Sequence, residues 1–410
     1  MGFHEENVAI VIDSGTGMTR DFMVVTAMNL ATHTACSPSQ SAGYSGDEAP
    51  KTTFASLVAH PTTTWGPNSK MSVGQAAEKK WGVLDVKCPI ERGIVTNWDD
   101  LEHVWHHAFY RELKASPEFY PVYLTEVPMN PKAHRERMTQ MMFDTFKVPA
   151  LYMNTTAALS LYAHGRTTGC VLESGQGVTH VVPIYEGVVL VNAIARLNLG
   201  GKVLTDYLEK MLCETGCVLQ DHEERQVTEN GLNLTTKPVH LQVRSMMESL
   251  CYVALDFDKE SIKAIENSRA VDRKFKLPNG ESITIGNERF FLPEVLFQPE
   301  LADLEEDSVV DATFTAIMKC DEYMHQEMLS TVVLSGGCTM FPGFSERLKK
   351  ELTALASSSF EVNVLALEET QNTAWVGASV VASLDEFQYM WISREEYDNK
   401  GPSIVHSKCF

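Results

Sequence analysis

Two stretches of this 410-residue chain carry residue types at a spacing that could hold a polyphosphate. Near the N-terminus the apolar run Val8 to Ile12 ends in Asp13-Ser14-Gly15-Thr16-Gly17-Met18-Thr19. Further on, Cys170-Val171-Leu172 runs into Glu173-Ser174-Gly175-Gln176-Gly177-Val178-Thr179-His180, and Val181 to Ile184 leaves it. Each reads as strand, tight turn and onward chain. Glycines two apart let consecutive backbone N–H groups approach an anion, because no side chain stands in the way. One such turn is an ordinary hairpin. Two copies, each with a carboxylate at the strand end, could clamp a polyphosphate between two halves of a protein. Asp13 and Glu173 would then hold a hydrated divalent cation through water, as Mg²⁺ prefers.

The elements around these turns are legible in outline. Val332 to Leu334 is a strand that meets Ser335-Gly336-Gly337-Cys338-Thr339-Met340, followed by a helix over Pro342 to Ala354. That is a third place where backbone can approach a nucleotide. Ile94 to Leu113 reads as an amphipathic helix with Asn97 as N-cap. Adjacent His106 and His107 point about 100° apart on it and do not chelate together. Thr52 to Val58 and Val122 to Glu126 read as strands. Helices are expected over Met23 to Leu30, Val73 to Lys80, Ala133 to Thr145, Asn154 to Tyr162, Tyr207 to Cys217 and Ala374 to Leu384. The Asn154 to Tyr162 helix brings Thr156 towards the second turn. Asn279-Gly280 marks a hairpin turn.

Length allows two domains or one large bilobed unit. The formal net charge of −20 argues against sequence-independent nucleic-acid binding, which needs a basic face. It suits basic partners, and salt should favour self-association by screening repulsion. Nine scattered cysteines form no CxxC pair and complete no zinc set, so free thiols in a reducing compartment are expected. No run reaches transmembrane length and no signal pattern opens the chain. Glu6 excludes the myristoylation pattern that Met1-Gly2 suggests.

Over essentially its whole length the chain resembles actin. The runs that carry the resemblance are Cys88 to Asp100 (CPIERGIVTNWDD), Ser160 to Gly169 (SLYAHGRTTG), Val181 to Gly187 (VVPIYEG), Leu250 to Phe257 (LCYVALDF), Ile283 to Phe290 (ITIGNERF), Leu334 to Gly343 (LSGGCTMFPG) and Gly401 to Phe410 (GPSIVHSKCF). The resemblance implies an α/β fold, the bilobed superfold shared with Hsp70 and sugar kinases, with four subdomains and a nucleotide cleft between two lobes. One lobe would comprise 1–163 and 373–410, with its small subdomain near 54–88. The other would comprise 164–372, with its small subdomain near 200–304. The family binds ATP or ADP with Mg²⁺ or Ca²⁺, assembles into filaments in the cytoplasmic cytoskeleton and hydrolyses ATP slowly. Carried onto this chain, the nucleotide would contact Ser14, Gly15, Thr16, Gly17 and Met18. It would also contact Gly175, Gln176, Gly177, Val178, Arg244, Glu248, Gly336, Gly337, Thr339, Met340 and Phe341. His180 falls near the attacking water. Partner helices of actin-binding proteins would enter a cleft near Tyr162, Gly165, Thr167, Leu384 and Met390. No nucleic acid and no membrane insertion are implied.

The departures concentrate at the chemistry. The family's second turn has Asp where this chain has Glu173 and Gln176. Its water-positioning Gln falls at Thr156, its adenine-side lysines at Met247 and Gln371, and its methylatable His at Arg92. Its phosphate-binding Lys falls at Arg20 if the chain runs on without an insertion, or at Ser41 if aligned through Ala42 to Asp47. Thr156 and Gln176 are thus degenerate catalytic positions, and at most a residual ATPase is expected. Two segments, 21–40 and 227–242, stand outside the family pattern. The second opens with Val and closes with Gln, whose codons can read as splice signals; one or both segments are expected to be retained introns, the alternative being evolved surface loops. The loop that enters the next subunit corresponds to Thr62 to Ser72 and here carries Trp65-Gly66-Pro67. The apolar plug between strands falls at Glu300 to Asp307, with five carboxylates. Apolar burial gains roughly 25 cal/mol per Å², which an acidic segment largely forfeits. The chain is therefore expected to assemble into, or onto, actin-type filaments weakly. The competing reading is a non-polymerising subunit of a larger complex.

Overall fold

The computed structural model describes residues 8–14, 39–61, 71–80, 84–214, 222–228, 231–237, 239–277, 280 and 282–409; for 222–228, 231–237, 240, 241 and 268 only the backbone is described. Two mixed sheets organise the chain. Their strands, in chain order, are β1 (Ile10–Ser14), β2 (Ser39–Tyr44), β3 (Thr52–Ala55), β4 (Val122–Glu126), β5 (Ala150–Thr155), β6 (Gly169–Ser174), β7 (Thr179–Tyr185), β8 (Val188–Val189), β9 (Ala195–Leu197), β10 (Val332–Ser335), β11 (Val364–Leu365) and β12 (Ile392–Ser393). The first sheet runs β12-β5-β4-β1-β2-β3, and the second runs β8-β7-β6-β10-β11 with β9 also on β7.

The sheets repeat one plan. In the first, β1 pairs antiparallel with β2 and parallel with β4, which pairs parallel with β5. In the second, β6 pairs antiparallel with β7 and parallel with β10, which pairs parallel with β11. Asp13 lies opposite Ser41, as Glu173 lies opposite His180. Each sheet has its own apolar core. Ile10, Ile12, Trp105, Phe109, Tyr123, Leu124 and Trp375 are in the first, and Leu172, Leu204, Leu208, Leu334 and Phe344 in the second. Central strands bury both faces, so they read as unbroken apolar runs rather than alternating ones.

Five helices position the site: α1 (Trp98–His107), α2 (Thr156–Ala163), α3 (Gly201–Glu214), α4 (Val239–Leu250) and α5 (Thr373–Ser383). α1 starts four residues later than its apolar period suggests. The Asn97 side chain accepts from the Asp100 N–H at 3.1 Å, fixing the start, and the expected helix continues through Leu113 as a π-helical stretch, Ala108–Leu113. α2 follows β5 without a loop, and the Thr155 hydroxyl accepts from Ala158 N–H at 3.4 Å. One face of α2 joins Ala157, Ala158 and Leu161 to Val171, Val182 and Val333 of the second sheet. Its other side crosses α5, where a Cβ at Gly377 would overlap the Leu159 carbonyl.

Other expectations shift on contact with tertiary structure. Thr52 to Val58 is two strands, β3 and a Val58–His60 strand that joins a small three-stranded sheet. The helix near Val73 has only four residues, Gln75–Glu78. Asn154 belongs to β5, and Thr156 opens the helix. Across the segment 227–242, which stands outside the family pattern, His222–Thr228 pairs with Gly231–Lys237 in a hairpin and α4 then starts at Val239. Met23 to Leu30, Arg20, Trp65 and residues 15–18 lie outside the described residues. Seven of the cysteines lie within them, all free.

Candidate functional site

The two carboxylates converge from the two sheets. Asp13 stands near the end of β1, 9% exposed, and accepts a hydrogen bond from the Thr125 hydroxyl on β4. Burial pushes its carboxyl above the ordinary range, against that hydrogen bond. Glu173 ends β6 and accepts from the Thr156 hydroxyl at 2.6 Å. Burial pushes its carboxyl up to about 7; the Thr156 hydrogen bond opposes this, and the Asp13 charge adds to it. No cationic side chain among the described residues offsets either group.

Two shielded carboxylates, with the Asp13 charge raising Glu173 and no cation among the described residues offsetting either, could hold a divalent cation. Among the described residues no group of three or more His, Cys, Asp or Glu could form a full protein cage. A pair of carboxylates would leave most of a divalent cation's shell to water, as Mg²⁺ prefers. One consequence is measurable without nucleotide. The Glu173 carboxyl titrates higher in the folded chain than its ordinary 4.5, so the folded state binds the extra proton between about pH 4.5 and about 7. Stability should fall as pH rises through that window, by about 3 kcal/mol at most. Melting curves in a chelator should show this slope. Glu173→Gln should flatten it, and Mg²⁺ should raise the melting temperature above pH 7. A slope unchanged in the variant would refute the assignment.

The second glycine turn is built for close approach. The Gly175 N–H closes it on the Val178 carbonyl at 3.1 Å. The Gly175 and Gln176 carbonyls accept from Gly201 N–H at 3.0 Å and Lys202 N–H at 2.8 Å, at the start of α3. A trans peptide points its N–H opposite to its carbonyl, so the Gln176 and Gly177 N–H groups face away from α3. Glycines wall the turn in. A Cβ at Gly200 would lie 2.8 Å from the Gly175 carbonyl, one at Gly336 would overlap the Ser174 carbonyl, and one at Gly177 would come within 2.9 Å of Arg92 Cα. The Gln176 Oε1 is buried against Gly201 and has no hydrogen-bond partner among the described residues. Its amide packs beside α3 as well as lacking a base.

The remaining candidates divide. Gly336, Gly337, Thr339, Met340 and Phe341 form one turn beside the second loop: Gly336 N–H donates to Thr370 O at 3.0 Å, Thr339 Oγ1 to Thr370 Oγ1 at 3.0 Å, and Cys338 Sγ to Gly175 O at 3.3 Å. Arg244 and Glu248 pair along α4 at 2.9 Å. Met247, where the family has a lysine, is fully buried in the second core. His180 is buried beside Glu173, and burial, with Arg196 across the ladder, pushes its imidazole down to about 4, leaving it neutral at pH 7. Ser14 uses its hydroxyl structurally, donating to Gln40 Oε1 at 3.0 Å and accepting from Trp105 Nε1 at 3.1 Å. Ser41 lies opposite Asp13 and contacts Thr53 at 3.4 Å. The phosphate-lysine position aligned through 42–47 therefore has no cation.

Sequence reasoning missed Thr125, Gln40 and the Gly200-Gly201 pair. The paired glycines were a usable signal; nothing local marked Thr125 or Gln40, which reach the site through sheet pairing.

The expected partner cleft presents Leu384 and Met390 at 48% and 38% exposure, with Gly165 in open space. The acidic segment folds back onto its own lobe. Tyr207 Oη donates to Leu301 O at 2.7 Å, and Asn198 donates to Glu306 through its N–H at 3.2 Å and its amide at 2.8 Å. Leu301 and Leu304 pack on the second core, while Glu300, Asp303, Glu305 and Asp307 are exposed. No helix among the described residues is long and apolar enough to cross a membrane.

Asp13 and Glu173 thus approach each other from the two sheets, with the Gly175 to Val178 and Gly336 to Phe341 turns side by side in the second lobe. The family model described as Actin matches residues 4–410, and the chain belongs to the actin family.

Proposed function

We propose that this protein binds ATP and ADP with Mg²⁺ or Ca²⁺ between the two glycine turns, and assembles into or onto actin-type filaments in the cytoplasmic cytoskeleton. The observation that carries the reading is the convergence of buried Asp13 and part-buried Glu173, uncompensated by a cation among the described residues, beside a turn whose N–H groups face away from α3. When bound, the cation would neutralise the phosphates and order water near them. The chain's own groups do the rest. The Gly175 to Val178 backbone takes phosphate oxygens, the Gly336 to Phe341 turn with Arg244 and Glu248 takes the nucleoside, and Thr156 holds Glu173. Neither Thr156, Gln176 nor neutral His180 forms a strong water-activating set, so hydrolysis is residual.

The purified protein should release close to one adenine nucleotide per chain on denaturation. A stoichiometry near zero for folded protein would remove the reading.

Self-assembly is expected to be weak. With four carboxylates exposed on a segment pinned by Tyr207 and Asn198, the plug position cannot bury apolar area. In sedimentation at micromolar protein with Mg²⁺ and salt, most of the chain should stay in the supernatant alone and enter the pellet with conventional actin. Robust pelleting without a partner would contradict this, and absence from the pellet in both cases would favour the non-polymerising subunit.

A further inference from the structure

The hairpin Ile90–Glu91/Ile94–Val95 turns through Arg92 and Gly93, both with positive φ (49° and 79°). Two left-handed residues make the type I′ turn, which prefers Asn or Gly at its first position. A long side chain there is strained, and such strain persists where the surroundings fix it, often at functional sites. Here they do. A Cβ at Gly93 would collide with Val127 just beyond β4, and a Cβ at Gly177 would lie 2.9 Å from Arg92 Cα and 3.2 Å from its N. The tip of a first-lobe hairpin is thereby wedged against the phosphate turn of the second sheet.

The charge argument is independent of the strain. Asp13 and Glu173 raise the negative charge of the site, Ser41 brings none to offset it, and a triphosphate would add more. Two cations touch the turn through their backbones. Lys202 lies on α3, where its charge acts on Asp206. Arg92 is exposed and makes no hydrogen bond or ion pair among the described residues.

We propose that Arg92 recognises the terminal phosphate of a bound nucleoside triphosphate, its guanidinium reaching across the cleft to the oxygens seated on the Gly175 to Val178 turn. This rests on the nucleotide site proposed above. A guanidinium offers a planar fork for phosphate oxygens, which an ammonium reproduces only as a point charge.

Arg92→Gly suits the left-handed backbone and removes the charge, while Arg92→Lys keeps the charge without the fork. The full chain with Mg²⁺ is titrated calorimetrically with ATP, ADP and adenosine. Arg92→Gly should melt no lower than wild type and lose about tenfold or more in ATP affinity, with ADP and adenosine changed less than about twofold; Arg92→Lys should recover part of the loss. ATP and ADP weakened by the same factor, or ATP affinity unchanged in Arg92→Gly, would overturn the inference while leaving the site standing. Wild-type protein that binds none of the three would overturn the site and the inference together.

Discussion

Phosphate release from the assembled protein should rise about tenfold or more when Thr156→Gln, Glu173→Asp and Gln176→Asp are combined, the size expected from placing one positioning group correctly. Phosphoryl transfer depends chiefly on holding the nucleophile in line and on stabilising charge. The Thr156 hydroxyl donates to Glu173 Oε2 at 2.6 Å, which ties it to the carboxylate instead of to a water. The Gln176 Oε1 is pressed against Gly201. Asp at 176 would be one methylene shorter and clear of α3, and would add a charge that orders a metal's water shell. Asp at 173 would withdraw its carboxylate by one methylene, and Gln at 156 would span the gap with both a donor and an acceptor. The three changes act as a set, so single substitutions should give less than their share. An unchanged rate in the triple variant, or a wild-type rate equal to that of conventional actin, would show that these residues do not limit hydrolysis.

Gly377→Ala is expected to be the most destabilising small change at the junction of the two sheets. A Cβ there falls on the Leu159 carbonyl of α2, backbone against backbone, with no flexible side chain to give way. The neighbours cannot yield either. Ala374, Trp375 and Ala378 are buried on the same helix, and Trp375 Nε1 donates to the Val11 carbonyl at 3.2 Å. α2 and α5 would have to part, opening the path between β1 and β6 that sets the spacing of Asp13 and Glu173. Overpacking of this kind costs about 3 kcal/mol or more. In a chain of this size the melting temperature should drop by at least about 3 °C. An unchanged melting curve would mean that the crossing is looser than described.

Much of this framework was legible because it is local. The strand Val122 to Glu126 and the Asn97 cap follow from an apolar run and an accepting side chain three residues before the N–H that donates to it. The glycine turns were readable because spacing alone marks them. The hairpin over 222–237 was not read, although Asn230-Gly231 is a hairpin signal, because its first strand is polar but for Val227 and the alternation of Leu232 and Leu234 in the second is too short to stand out. The α1 boundary moved because the N-cap, not the apolar period, decides where a helix starts.

At the site, residue identity was legible and geometry was not. Thr156 was expected near the second turn, but its bond to Glu173 depends on α2 following β5 with no loop. Thr125 reaches Asp13 from a strand more than a hundred positions away, through the parallel β1–β4 pairing. The contact between Arg92 and Gly177 joins two hairpins on different sheets, which no spacing in the chain encodes.

Asp13 and Glu173 are proposed to form together a divalent-cation site that serves a bound nucleotide. The most direct test is calorimetric titration of the full chain with ATP, with and without Mg²⁺, for the wild type and for Asp13→Asn combined with Glu173→Gln. ATP should bind the wild type at least tenfold more tightly with Mg²⁺ than in chelator, and the double variant should lose that difference while still binding adenosine. An Mg²⁺ effect of equal size in the double variant would contradict the account.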